Sequence, residues 1–392
     1  MGLGEFKAME DDDDLRSAFK KMRDQFRDGA ADELRSGSWL GQTVQWVLQQ
    51  YSTQVNAEYL RKKYPGAGPV NQAAKAVSLA SKHAAVVGGM SAAAVTGLEL
   101  GAVAAGPWGV LAIPAGATVV LADVSMTTRI QLRTTYDLSA LYGAPLAADD
   151  AEDCYLIFLA SMGAKLGEAA GEVAMNVGPK VVAFNVRRML RAGLRAALVE
   201  IVKRIGGTAL AKKLTERVLM RVLVPGISIP VGAGLNYWFV RSICRTANHK
   251  MRRRGAAVRP LVRLFREASE LPRETAVKAL VTVMQSPGAA KGWEEGQLDA
   301  LRHTQSALVL SDDTISGLED WFDKKPEDVV STLPPMNAEA GGALVEYLTT
   351  AAALATLNDS DGIYASAIGT IARGVGAPFE PSSIAKIRKS LE

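Results

Sequence analysis

Four polar residues, Asp123, Arg129, Gln131 and Arg133, stand just past a long uncharged stretch. Asp123 and Gln131 are eight residues apart, which puts them on roughly one face of a helix. This set reads either as a polar site able to take a lipid headgroup or as a buried Asp–Arg network that fixes packing. A second group is cationic. Arg187, Arg191 and Arg195 recur at helical spacing, with Arg188 beside them, opposite Val186, Leu190, Leu194, Leu198 and Ile201. Such a helix suits an anionic membrane surface, where each Lys or Arg contributes about 1 kcal/mol. Arg252-Arg253-Arg254 and the segment after them extend the same charge. Nucleic acid is the rival partner, because phosphate backbones need the same cations. Against it, the basic stretch offers few aromatics for stacking (Phe184, Tyr237, Trp238, Phe239 and Phe265) and no recognition motif.

Ordinary catalytic constellations are missing from the sequence. Nucleophilic catalysis needs a nucleophile, a base and an orienting group. The histidines, His83, His249 and His303, sit in no recognisable motif, and no Gly-x-Ser-x-Gly occurs. Cys154 follows Asp153 inside an apolar stretch and reads as a structural thiol. Cys154 and Cys244 are too far apart, and too poor in nearby histidine, for a zinc site. No phosphate-binding Gly-x-x-x-x-Gly-Lys-Ser/Thr loop is present. Asp359 and Asp361 offer two oxygen ligands for a hard cation, but Asn358-Asp359-Ser360-Asp361-Gly362 also has the pattern of a helix N-terminal turn. No cofactor is expected, and the reading favours a non-enzymatic protein.

Charge is distributed unevenly. Residues 180–266 carry 20 Lys/Arg against two acids, Glu200 and Glu216, whereas residues 286–362 carry 14 Asp/Glu against four bases. The start is acidic too, with Asp11 to Asp14 in a row. The pattern suggests a surface-binding middle between solvating ends, or charges that pair within the fold. Apolar content is mostly Ala, Val and Leu with only 6% aromatics, which favours helix packing over a sheet. The two cysteines and the absence of an N-terminal secretory pattern point to a reducing compartment.

The elements that must position these residues are helical. Residues 38–64 show helical periodicity, and Pro65-Gly66-Ala67-Gly68-Pro69 breaks it. A helix begins near Asn71 and enters a Gly/Ala-rich apolar region, Ala84 to Ala122, whose one ionisable residue is Glu99. Gly106-Pro107-Trp108-Gly109 and Pro114 interrupt it, so it reads as a helical hairpin. Gly88, Gly89, Gly97 and Gly101 leave little side chain between the arms and allow close approach. The first arm is long enough to span a bilayer, yet Glu99 would cost about 2.5–3.5 kcal/mol there. Both a buried and a membrane-inserted hairpin stay open. Helices are further expected over Asp123–Tyr142, ending at Gly143, over Asp149–Ala174, and over 180–205.

Ile113-Pro114-Ala115-Gly116-Ala117 recurs as Ile229-Pro230-Val231-Gly232-Ala233, an offset of about 116 that also aligns Arg129 with Arg245. The echo reads as a duplicated hairpin-plus-helix unit or as a five-residue coincidence. Together with Asp123, Gln131-Leu132-Arg133, Leu141-Tyr142-Gly143, Pro225 and Asn236, these segments resemble the EcsC family over about residues 70–260. The resemblance implies association with bacterial membranes or with ABC-transporter gene neighbourhoods, and no established activity. The segment from about 270 to 380 resembles a TerB-type helical domain, whose two Asp-Gly turns gather a metal. Here Lys291 stands where the first Asp belongs, Gln297 or Leu298 takes the first acid position, and Ala367 or Ile368 the second.

The expected architecture is all-α: an acidic helical arm (1–69), an EcsC-like helical bundle with its apolar hairpin and internal repeat (70–268), and a TerB-like helical domain (269–392). The expected role is peripheral binding of anionic lipid or a membrane partner, through the apolar hairpin and the basic helices, on the cytoplasmic face. Asp123, Arg129, Gln131, Arg133, Arg187, Arg188, Arg191, Arg195 and Asn236 are the candidate contacts. The C-terminal domain is a candidate surface for a protein partner. A soluble enzyme using the Asp123/Arg129/Asn236 region and a nucleic-acid binder are the alternatives.

Overall fold

The structure is a computed structural model that describes residues 12–25, 62–96, 114–146, 229–286, 295–308, 321, 324–355 and 361–391. These residues form ten α-helices and no strand, so the fold is all-α as expected. In chain order the helices are α1 (Asp12–Gln25), α2 (Pro69–Thr96), α3 (Pro114–Leu141), α4 (Ile229–Glu267) and α5 (Arg273–Gln285). They continue as α6 (Glu295–Leu308), α7 (Pro326–Thr332), α8 (Ala338–Ala355), α9 (Asp361–Gly374) and α10 (Ser382–Leu391). They fall into two compact units. The first contains α1, α2, α3 and residues 229–248 of α4; the second contains residues 142–145 and 249–267, then α5 to α10.

In the first unit, α3 is the central element. From Thr118 to Ser139 every residue except Arg129 and Arg133 is buried. Pro114 opens this helix instead of interrupting an apolar arm. Its fixed φ suits the first helical turn, where its missing N–H costs no hydrogen bond. Residues 114–122 of the hairpin's second arm and the expected Asp123–Tyr142 helix therefore belong to one continuous helix. It ends where Gly143 adopts φ +75°, a left-handed conformation that glycine accepts readily. The echoed Ile229-Pro230 opens α4 in the same way.

Helix α2 packs along α3, with Tyr64 and Ala76 against Ala140 and Leu141, so the start of one meets the end of the other and the pair is antiparallel. Helix α1 buries Leu15, Ala18, Phe19 and Met22, spaced as one helical face, and packs on both α2 and α3.

The second unit is organised around α8. Its Ala340–Ala355 stretch is buried apart from Gly342 and Glu346, and it packs against α5, α6, α9 and α10. Leu261, Leu264, Val277, Leu280, Leu344, Leu348, Ile368 and Ile371 belong to one core. Tyr347, wholly enclosed, shares a 2.8 Å hydrogen bond with the Thr304 hydroxyl, and burial raises its pKa above the usual tyrosine value. Gly341 and Gly374 sit where α8 meets Val375 and α9 meets Val330, with no room for a Cβ at Gly374.

Candidate functional site

Three helices of the first unit converge at one point. The Asn236 side-chain amide on α4 donates a 2.9 Å hydrogen bond to Asp123 Oδ1 on α3. Both residues are buried, at 1% and 3% exposure. Asn236 reaches Asp123 because α2 presents Gly88 there. A Cβ on Gly88 would stand 2.5 Å from the Gly232 carbonyl oxygen and 2.7 Å from Asn236 Nδ2. From the other side, a Cβ on Gly232 would stand 2.9 Å from Ala92 Cβ. The backbones of α2 and α4 thus touch directly. Gly88 and Gly89 serve this crossing with α4, whereas the sequence suggested that they let the two arms of the hairpin approach closely.

Contacts fix the directions of these helices. Asp123 meets Asn236, and further along both helices Thr134 meets Cys244, so α3 and α4 run parallel. Gly88 meets Asn236 and Gly232, and Ala92 meets Gly232, so α2 runs antiparallel to α4. The Cys244 thiol is enclosed here, and burial pushes its pKa up to about 12, far from a reactive thiolate.

The remaining expected residues of α3 separate into two sets. Gln131 is buried two turns past Asp123, and neither its Nε2 nor the Thr127 hydroxyl between them has a hydrogen-bond partner. Arg129 and Arg133 share the one half-buried face of the helix. The sequence did not single out the neighbouring pair Lys63 and Asp137, whose Nζ and Oδ2 are 3.6 Å apart with both side chains largely buried. Burial raises the Asp137 pKa despite the opposing charges of Lys63 and Arg133. The sequence signal for this pair was weak, since 74 residues separate its members and neither lies in a motif.

An exposed strip lies on the opening turns of α4. Val231, Leu235 and Trp238 follow at helical spacing and are all exposed, Trp238 at 70%. Ser242 and Arg245 continue the same strip, and the half-buried Arg241 flanks it. Arg241 donates to the Tyr237 hydroxyl, and its guanidinium lies 5.4 Å from the centroid of that ring. The strip runs for about 21 Å from Val231 to Arg245, apolar first and cationic after. No acid occurs between Glu216 and Glu267.

The arginine triplet is placed differently, inside the second unit. Arg253 donates to the Leu354 carbonyl at 2.7 Å, at the C-terminal end of α8. Arg252 donates to the Ser390 carbonyl at the end of α10. Arg254, 3% exposed, donates through Nε to the Ala144 carbonyl at 3.4 Å. Arg273 likewise donates to the Leu308 carbonyl, at the end of α6, at 2.9 Å. These cations satisfy carbonyls left open where helices end.

Arg187, Arg188, Arg191, Arg195 and Asp359 lie outside the described residues, as do Glu99, the hairpin turn, Cys154 and the expected helices over 149–174 and 180–205. Asp361 opens α9. Among the described residues no group of three or more His, Cys, Asp or Glu is placed to hold a metal ion. No helix among them is long and apolar enough to cross a membrane. No protein-family model, curated protein or solved structure matches the chain.

Proposed function

We propose that this protein binds anionic membrane surfaces peripherally through the exposed face of α4, with no catalytic step of its own. The carrying observation is the strip itself: Val231, Leu235 and Trp238 open to solvent, with Arg241 and Arg245 following within two turns. Tryptophan favours the headgroup level of a bilayer, and arginine beside it complements anionic phosphate. The apolar-to-cationic order along the strip suits a helix that enters at its N-terminal end and keeps its arginines among headgroups. The exposed apolar residues beside the arginines favour lipid as the occupant, and with no acid on this stretch of α4 the face stays cationic. Arg187, Arg188, Arg191 and Arg195 would add cationic charge of their own to such a contact. Kinship with the EcsC family belongs to this reading and is supported by the meeting of Asp123 with Asn236, two residues on which the resemblance rests.

Flotation of the full chain with phosphatidylglycerol vesicles at low salt tests the proposal. The protein floats, salt releases it, and Trp238→Ser removes most of the floating fraction. Failure to float at low salt overturns the proposal.

A further inference from the structure

Arg241 differs from an ordinary surface arginine in being held. Its guanidinium donates to the Tyr237 hydroxyl one turn back and lies against that ring. An arginine held in one conformation loses less side-chain entropy when it captures an anion. Arg245 stands one further turn along, at the spacing where helix side chains are neighbours. Like charges at that spacing repel, and no acid on this stretch of α4 relieves them. An anion with several oxygens would bridge the two guanidinium groups and remove the repulsion. Phosphate, like carboxylate, matches the planar arginine fork, and it brings more oxygens to share between two arginines. A phosphomonoester, with three terminal oxygens and a charge of about −1.5 to −2, serves two arginines better than a phosphodiester with a single charge. Trp238, adjacent in sequence and the most exposed large apolar residue among the described residues, would set the pair at headgroup depth.

We infer that Tyr237, Arg241 and Arg245 form a phosphate-ligating site that selects phosphomonoester lipid headgroups over phosphodiester ones. The inference rests on the peripheral membrane reading above and sharpens its ligand. Its test compares full-chain binding to phosphatidic acid vesicles and phosphatidylglycerol vesicles at matched zeta potential. Binding is expected to be at least fivefold tighter to phosphatidic acid. Arg241→Lys keeps the charge but removes the fork, and Tyr237→Phe removes the brace. Each variant should bring the ratio close to one while phosphatidylglycerol binding persists. An equal affinity of the natural sequence for both vesicles overturns the inference and leaves the membrane reading standing. A ratio unchanged in both variants overturns it as well. Absence of binding to either vesicle overturns both. Displacement of phosphatidic acid vesicles by millimolar inorganic phosphate, at constant ionic strength, assigns the site to a soluble anion and overturns the lipid assignment; persistence of binding supports it.

Discussion

Arg241 and Arg245 precede Arg252, Arg253 and Arg254 on the same helix by about two to three turns, and the two groups do opposite things. Arg245 is exposed and Arg241 half-buried, both near exposed Trp238, with Tyr237 holding Arg241. The later three, Arg254 buried and Arg252 and Arg253 half-buried, donate to the carbonyls of Ala144, Ser390 and Leu354. In the sequence both groups add equally to a basic middle. In the structure the later group is engaged by backbone carbonyls and the first is not. A count of positive charge therefore overstates the binding surface, because cations also complete helix ends.

This contrast can be broken experimentally. Arg254→Ala should have the largest effect on stability, a loss of about 3 kcal/mol, from the missing donor to Ala144 and the cavity left by a buried side chain. Urea unfolding measures it, and a loss below 1 kcal/mol would put Arg254 with the surface arginines. Gly88→Ala should cost about 1–3 kcal/mol, since the new Cβ meets the Gly232 backbone and the Asn236 amide. Its unfolding curve, beside that of Gly234→Ala with nothing within 4 Å, separates crowding from loss of backbone freedom. Arg253→Ala should cost about 1.5 kcal/mol for one charged hydrogen bond to a helix end. The double variant Arg241→Ala/Arg245→Ala should change stability by less than about 0.5 kcal/mol. It should nevertheless weaken vesicle binding by about fivefold per arginine.

Asp137 adds a prediction in which pH is the variable. Burial outweighs Lys63 and Arg133, so the folded chain holds the Asp137 proton more tightly than the unfolded chain. Its contribution favours the fold at pH values below the ordinary carboxylate range and is lost as pH rises through the raised value. Asp137→Asn should therefore flatten the dependence of the melting temperature on pH across that interval. A slope equal to that of the natural sequence would show that other groups set it.

The helical class was legible from the Ala- and Leu-rich composition and the Gly143 stop, because helix periodicity and C-terminal glycines act locally. Asp123 and Asn236 were both picked out by type, and the structure brings them into contact. Their mutual bond was not legible, because it depends on a third helix that carries Gly88. Pro114 was read as a break. Its effect depends on whether it falls at the first turn of a helix or within one, and a single sequence does not display that register. The surface strip on α4 was missed for another reason. Val231, Leu235 and Trp238 have the spacing of a core-facing stripe, and only burial separates such a stripe from an exposed one.

The crossing at Gly88 and Gly232 has a consequence for how this protein can change over time. The atom that a side chain at position 88 would strike first is a backbone oxygen. Every residue carries that oxygen, so no substitution at position 232 can make room for it. The usual exchange, in which one residue shrinks as its neighbour grows, is closed to this pair. Related sequences that keep the crossing must keep glycine at position 88, and a lineage that loses the glycine must have moved α2 away from α4.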